Sequence, residues 1–214
     1  MPVKIKNGET ILFIGDSITD CLHREKLHAP LGCGYVRIFA DMLTVREPQK
    51  KITVANHGIS GNNVGDLRDR WHDDVLEIAP DWLSIAIGIN DLHHTFEGRI
   101  SMPVEQFGNI YDQILSQTKK RLPDCNILLI DPFYMSRDKT SDSFRARILR
   151  ALPAYIDTVH QLSRKYQTRL VKTHELFQKQ LKYHKLEVFS SEPIHPNSAG
   201  HLLIAEAVYN ALSL

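Results

Sequence analysis

A serine directly after an aspartate, Asp16-Ser17, and a histidine directly before a proline, His195-Pro196, stand near opposite ends of the chain. Together they could carry out nucleophilic chemistry. A serine hydroxyl is a weak nucleophile at neutral pH and needs a base to take its proton as it attacks. An imidazole can take that proton and return it to a leaving group. Pro196 disfavours helical backbone at His195, so the imidazole is expected on an extended loop, with Asn197 or Ser198 capping the next helix. Glu192, three residues before His195, can bond one ring nitrogen, set the tautomer and stabilise the imidazolium. Asp16 and Asp20 are alternative carboxylates for that task. In the remaining alternative Glu192 is a surface residue and Ser17 and His195 act as a pair.

Two further segments offer hydrogen-bond donors. NHGISGNN (Asn56–Asn63) has two glycines three apart, which bring backbone N–H groups close to a ligand. GIND (Gly88–Asp91) presents Asn90, an uncharged amide donor. Negative charge develops on the carbonyl oxygen during acyl transfer, and preorganised donors of this kind stabilise it. Taken singly, each segment reads as an ordinary turn, and Gly15-Asp16-Ser17 as a helix cap.

The elements that must position these groups follow from hydrophobic periodicity. Apolar runs predict strands at Ile11–Gly15, Ile52–Asn56, Trp82–Gly88, Asn126–Pro132 and, more weakly, Arg169–Thr173. Helical spacing predicts helices at Tyr35–Leu43, Val64–Ile78, Val104–Leu122, Phe144–Tyr166 (kinked or restarted at Pro153) and Ser198–Leu212. Strands that are apolar nearly throughout are buried on both faces, and strands alternating with helices build a parallel sheet. The expected architecture is one domain over residues 1–214, a three-layer α/β/α fold with about five parallel strands. The four segments then share the C-terminal edge of the sheet, where such folds carry their sites.

The four blocks, in this order and at the ends of successive strands, resemble the SGNH (GDSL-type) hydrolases: Gly15-Asp16-Ser17, Gly61, Gly88-Ile89-Asn90-Asp91 and His195. The resemblance runs from residue 11 to about residue 212. It implies a flavodoxin-like fold and a serine esterase that works through an acyl-enzyme without cofactor or metal. It also implies an oxyanion hole made by the N–H groups of Ser17 and Gly61 and the amide of Asn90. The stretches FIGDSITD, GYV, GISGN, DLRDRW, PDWLSIAIGIND and IHPNSAGH are similar to the group containing carbohydrate (xylan-type) acetylesterases, which implies acetyl groups on a sugar as substrate. The chain departs from the family at one position: Glu192 stands where the pattern has Asp, one methylene shorter. Thioesterase, lysophospholipase and arylesterase activities are alternatives on the same fold. A non-catalytic binding module, with Glu192 as a mark of lost catalysis, is a reading of another class, opposed by the intact Ser17, Gly61, Asn90 and His195.

Composition narrows the partners. Lys plus Arg number 26 and Asp plus Glu 25, for a net charge of +1, which supports neither nucleic-acid nor polybasic membrane binding. The apolar run near the N-terminus is too short for a signal-peptide core, so a cytoplasmic protein is expected. The expected partner is a small acyl ester or acetylated sugar; a homo-oligomer is compatible with the sequence. Cys21, Cys33 and Cys125 lack metal-ligand spacing and read as separate packing residues. His93 and His94, after GIND, are candidates for substrate contact or for a solvated loop. Phe133 and Tyr134, after the fourth strand, are candidates for lining the substrate pocket or for packing. Asp16 is also a candidate substrate contact. His57 reads as structural, Trp71 as core and Arg68 as solvated or ion-paired.

Overall fold

A computed structural model describes all 214 residues. Five parallel strands form one sheet in the order β2-β1-β3-β4-β5: β1 (Thr10–Gly15), β2 (Thr53–Gly58), β3 (Trp82–Ala86), β4 (Asn126–Ile130) and β5 (Arg169–Val171). Eight α-helices connect and cover them: α1 (Ser17–Asp20), α2 (Tyr35–Arg46), α3 (Val64–Asp69), α4 (Ile89–Phe96), α5 (Val104–Arg121), α6 (Phe144–Tyr166), α7 (Thr173–Gln180) and α8 (Ser198–Ser213). Helix α2 packs on α8, while α3, α5 and α6 pack side by side as the second layer. The sheet between them is filled by Ile11, Leu12, Phe13, Leu83, Ile85, Leu128 and Leu129, all at most 1% exposed.

This is the expected three-layer architecture, and the strand order fixes where a site belongs. The chain leaves β1 for β2 on one side and returns to lay β3 on the other. The connections therefore diverge above the carboxyl ends of β1 and β3 and open a crevice there. Gly15, Gly58 and Ala86 end in register at this edge. The short helix α1 lies directly over β2: a Cβ on Gly58 would fall 2.2 Å from the Asp20 nitrogen, so only glycine permits the contact.

Four local differences from the sequence expectations have physical causes. The expected helix over Val64–Ile78 breaks at Arg70 (φ −108°, ψ 7°) and continues as a π-helical turn, His72–Leu76. Leu67, Trp71 and Val75 remain buried, so helical periodicity could not reveal the break. Second, GIND opens a helix, α4. Its turn-forming Asn and Asp are overridden by burial of Ile89, Asp91 and Leu92, because tertiary packing outweighs weak local preference. Third, the fifth strand stops at Val171 and Thr173 begins α7. Fourth, α6 runs unbroken through Pro153. Pro153 removes one backbone hydrogen bond, but Ile148, Leu152, Tyr155, Val159 and Leu162 on either side of it are all buried. That burial holds the helix together.

Candidate active site

Ser17 is the first residue of α1. Asp16, 2% exposed, caps the helix by accepting the Ile18 N–H at 3.0 Å. The tight step from β1 into α1 leaves the Ser17 side chain partly exposed at the crevice. Its Oγ lies 2.9 Å from His195 Nε2, a contact between residues 178 positions apart.

His195 sits in the loop before α8. On the far side of the ring, Nδ1–H donates to Glu192 Oε1 at 2.6 Å. The tautomer follows from the partners: a carboxylate at Nδ1 requires the proton there and leaves Nε2 as acceptor for the Ser17 hydroxyl. Glu192 is itself held by its own turn. Its Oε1 accepts the His195 N–H at 2.7 Å and its Oε2 the Ile194 N–H at 2.8 Å. Ser190 Oγ lies within hydrogen-bonding reach of the carbonyls of Glu192 and His195 and closes the loop. Asn197 caps α8 through the N–H groups of Ala199 and Gly200. The longer Glu side chain is thus absorbed by a turn that wraps its carboxylate. The other two carboxylates are engaged elsewhere: Asp16 at Ile18, and Asp20 at Ser60 and His23.

The electrostatics follow from these bonds. The hydrogen bond to Glu192 raises the His195 pKa; partial burial opposes it, and the charges of Glu192 and Asp16 add to the rise. For Glu192, burial raises the carboxyl, but the bonds from His195 and Ile194 outweigh it and leave the group below the ordinary range. Asp16 moves the other way, pushed up to about 7 by burial and only partly restrained by the Ile18 N–H and His195.

Above β2, Gly61 adopts φ 84°, the left-handed region that favours glycine, and a Cβ there would meet nothing within 4 Å. The residue therefore opens onto free space. Neither the Ser17 N–H nor the Gly61 N–H donates to another group of the chain. Asn90, in the first turn of α4, donates one amide hydrogen to the Asn62 carbonyl at 2.9 Å. The other hydrogen on that nitrogen has no protein acceptor.

The remaining sequence candidates lie in packing. His93 belongs to α4 and not to a solvated loop. It packs edge-on against Phe144 at 4.9 Å, and its Nε2 is buried without a partner. Phe133 and Tyr134, 3% and 2% exposed, are walls of the core, Phe133 against Phe177 at 4.7 Å. Trp71 is core, 1% exposed, and Arg68 pairs with Asp69 at the surface. Cys21 and Cys33 are not separate packing residues: their sulfurs lie 3.5 Å apart at the neck of the loop that follows α1. The only convergence of three metal-type ligands is His72, Asp73 and Glu77, all exposed, on the π-helical turn and the residue that follows it.

A doubly wound parallel sheet carrying a serine, a histidine and a carboxylate in a hydrogen-bonded row at its switch point defines a serine-hydrolase type of site. The chain belongs to the GDSL-like lipase/acylhydrolase family, whose model matches residues 13–203. Among curated proteins it is 35% identical to an acetylxylan esterase of Geobacillus stearothermophilus, covering 96% of this chain and 94% of the relative. The crystal structure of Axe2, an acetylxylan esterase from the same organism, superposes with a TM-score of 0.88 at 32% identity. That match covers 99% of this chain and 97% of Axe2. A second solved structure, LAE5, described as an α/β hydrolase from the metagenome of Lake Arreo, matches with a TM-score of 0.85 at 29% identity over 97% of this chain and 96% of its own. Three Axe2 structures are of variants described as catalytic mutants. They replace a serine, a histidine, and an aspartate three residues before that histidine.

Proposed function

We propose that the protein is a serine esterase that removes acetyl groups from a carbohydrate through an acyl-enzyme. The observation that carries this reading is the row Ser17 Oγ–His195 Nε2 and His195 Nδ1–Glu192 Oε1, at 2.9 and 2.6 Å. His195 takes the Ser17 proton as Oγ attacks the acetyl carbonyl, and Glu192 holds the imidazolium that forms. The tetrahedral oxyanion is received by the N–H groups of Ser17 and Gly61 and by the free amide hydrogen of Asn90. On collapse, His195 returns the proton to the sugar hydroxyl. It then activates a water that releases acetate from Ser17. Glu192 fills the role that an aspartate has in the Axe2 series.

The similarity to the acetylxylan esterases above supports both the short acyl group and the carbohydrate. The test is a release assay over acetylated xylo-oligosaccharides and p-nitrophenyl esters of rising chain length. Acetyl is expected to be hydrolysed fastest, with rates falling at butyrate. An optimum at eight carbons or more would favour a lipase or long-chain thioesterase, and no turnover of any ester would favour a binding module.

A further inference from the structure

Arg70 is four-fifths buried yet touches no residue of the Ser17–His195–Glu192 row. Its side chain is 16% exposed, and three of its four acceptors lie on segments that carry the site. Nη2 donates to the carbonyl of Gly15 at 3.3 Å, two residues before Ser17. Nη1 donates to the carbonyl of His57 in β2 at 2.9 Å. Nε donates to Asn62 Oδ1 at 2.9 Å. Asn62 is the residue after Gly61, and its carbonyl is the acceptor that orients the Asn90 amide. One guanidinium therefore links the end of β1, β2 and the glycine loop directly, and Asn90 through one intermediate.

The helix break aims this group. Arg70 closes α3, and the π-helical turn that follows brings Asp74 to Arg70 Nη1 at 2.5 Å. Asp74 also meets His57 Nδ1 at 3.1 Å. A single-turn π element inside a helix commonly marks a functional position, and here the interruption falls at the residue that reaches the sheet edge. Lysine could not replace it. A point charge with one nitrogen cannot serve four acceptors in a fixed plane, whereas a planar fork can.

We infer that Arg70 is a positioning residue for the oxyanion hole, fixing the Gly61 N–H and the Asn90 amide relative to Ser17. The inference rests on the esterase reading and deepens it. A geometric loss of this kind lowers transition-state stabilisation and leaves ground-state binding nearly intact. Arg70→Ala should lower kcat roughly 10–10²-fold with KM within about threefold, a smaller loss than removing a donor outright in Asn90→Ala, roughly 10²–10³-fold. The acid limb of the pH profile should stay in place, because neither His195 nor Glu192 is touched. Added guanidinium ion should restore part of the rate, and Arg70→Lys should not.

The experiment measures kcat, KM and pH profile for p-nitrophenyl acetate, together with the rate at which a phosphonate labels Ser17. Phosphonylation passes through a charged oxygen in the same hole and does not depend on the natural ester. Arg70→Ala should slow labelling in proportion to kcat. Wild-type kcat and labelling in a folded Arg70→Ala would overturn the inference, as would a loss carried by a displaced acid limb. Should Arg70→Ala fail to fold, Asn62→Ala decides, since it removes only the acceptor at Nε: a fall in kcat of roughly 3–10-fold at constant KM supports the inference, and an unchanged kcat overturns it. A wild-type protein that neither turns over esters nor takes the label would instead overturn the esterase reading itself.

Discussion

Of the carboxylate–imidazole pairs in this molecule, the two shortest are Glu192–His195 and Asp131–His160, at 2.6 and 2.8 Å. Distance does not separate them; surroundings do. In the first, the side chains are 40% and 57% exposed, and the free ring nitrogen faces Ser17. In the second, Asp131 lies just past β4 and its side chain is 0% exposed, against 14% for His160 on α6. Its other oxygen accepts the His174 N–H at 3.2 Å and fastens the start of α7. Burial pushes the Asp131 carboxyl up to about 6 despite the bonds from His160 and His174, whereas Glu192 lies below its ordinary range. A carboxylate beside an imidazole is thus a strut when buried between elements. It becomes part of a reactive row when a hydroxyl and solvent meet the other nitrogen.

The sharpest way to break the comparison is to remove the hydroxyl. Ser17→Ala should lower kcat by roughly 10⁵–10⁶, the scale of deleting a nucleophile from such a row, and abolish phosphonate labelling while leaving the melting temperature near wild type. Labelling at another serine would end the assignment.

Removing the carboxylate comes next. Glu192→Gln should cost on the order of 10–10³ in kcat, against about 10⁴ for the amide replacement in an Asp-containing triad. His195 must be neutral to act as base, and Glu192 raises its pKa. Loss of the charge therefore moves the acid limb of the kcat/KM profile to lower pH. A wild-type rate and limb in this variant would make Glu192 a bystander.

The buried pair should answer in the opposite currency. Asp131→Asn should leave kcat at 25 °C unchanged and cost about 3 kcal/mol, the low end for breaking a buried pair. At 2–4 °C per kcal/mol for a chain of this size, that is roughly 6–12 °C in Tm. A large fall in kcat without a Tm change would mean that Asp131 belongs to the reactive site.

The smallest effect concerns Asp91, fully buried beside Asn90 and pushed up to about 7 by burial, only partly offset by the Val64 N–H. A folded-state pKa above the unfolded value gives stability that is complete below about pH 4 and is lost as pH rises through 7. Asn resembles the protonated acid. Asp91→Asn should therefore narrow the Tm difference between pH 5 and pH 8 by a few degrees. Equal shifts at both pH values would remove carboxylate burial as the cause.

Much of the fold and the central row were legible in the sequence because their signals are local. Apolar runs mark the strands, and Ser17, Gly61, Asn90 and His195 each sit in a short block at a strand or helix boundary. What escaped depends on long-range geometry. Arg70 lies in DLRDRW beside Arg68 and Asp69, and nothing in that string distinguishes the buried arginine from its solvated neighbour. The π-helical turn preserves the apolar spacing that predicts a plain helix. Asp131 and His160, like Cys21 and Cys33, meet only after folding. Glu192 lay between: its spacing to His195 was visible, but the turn that wraps its carboxylate was not.

The loop from Ser190 to His195 carries two of the three groups in the row as near neighbours in the chain. Only the bond from His195 to Ser17 reaches across the fold. On heating, a local opening that lifts this loop from α1 can separate base from nucleophile while the sheet and most helices remain intact. Catalysis and global structure then have different thermal tolerances. Activity should disappear reversibly below the temperature at which the far-ultraviolet circular dichroism melts, and it should return on cooling without refolding of the chain.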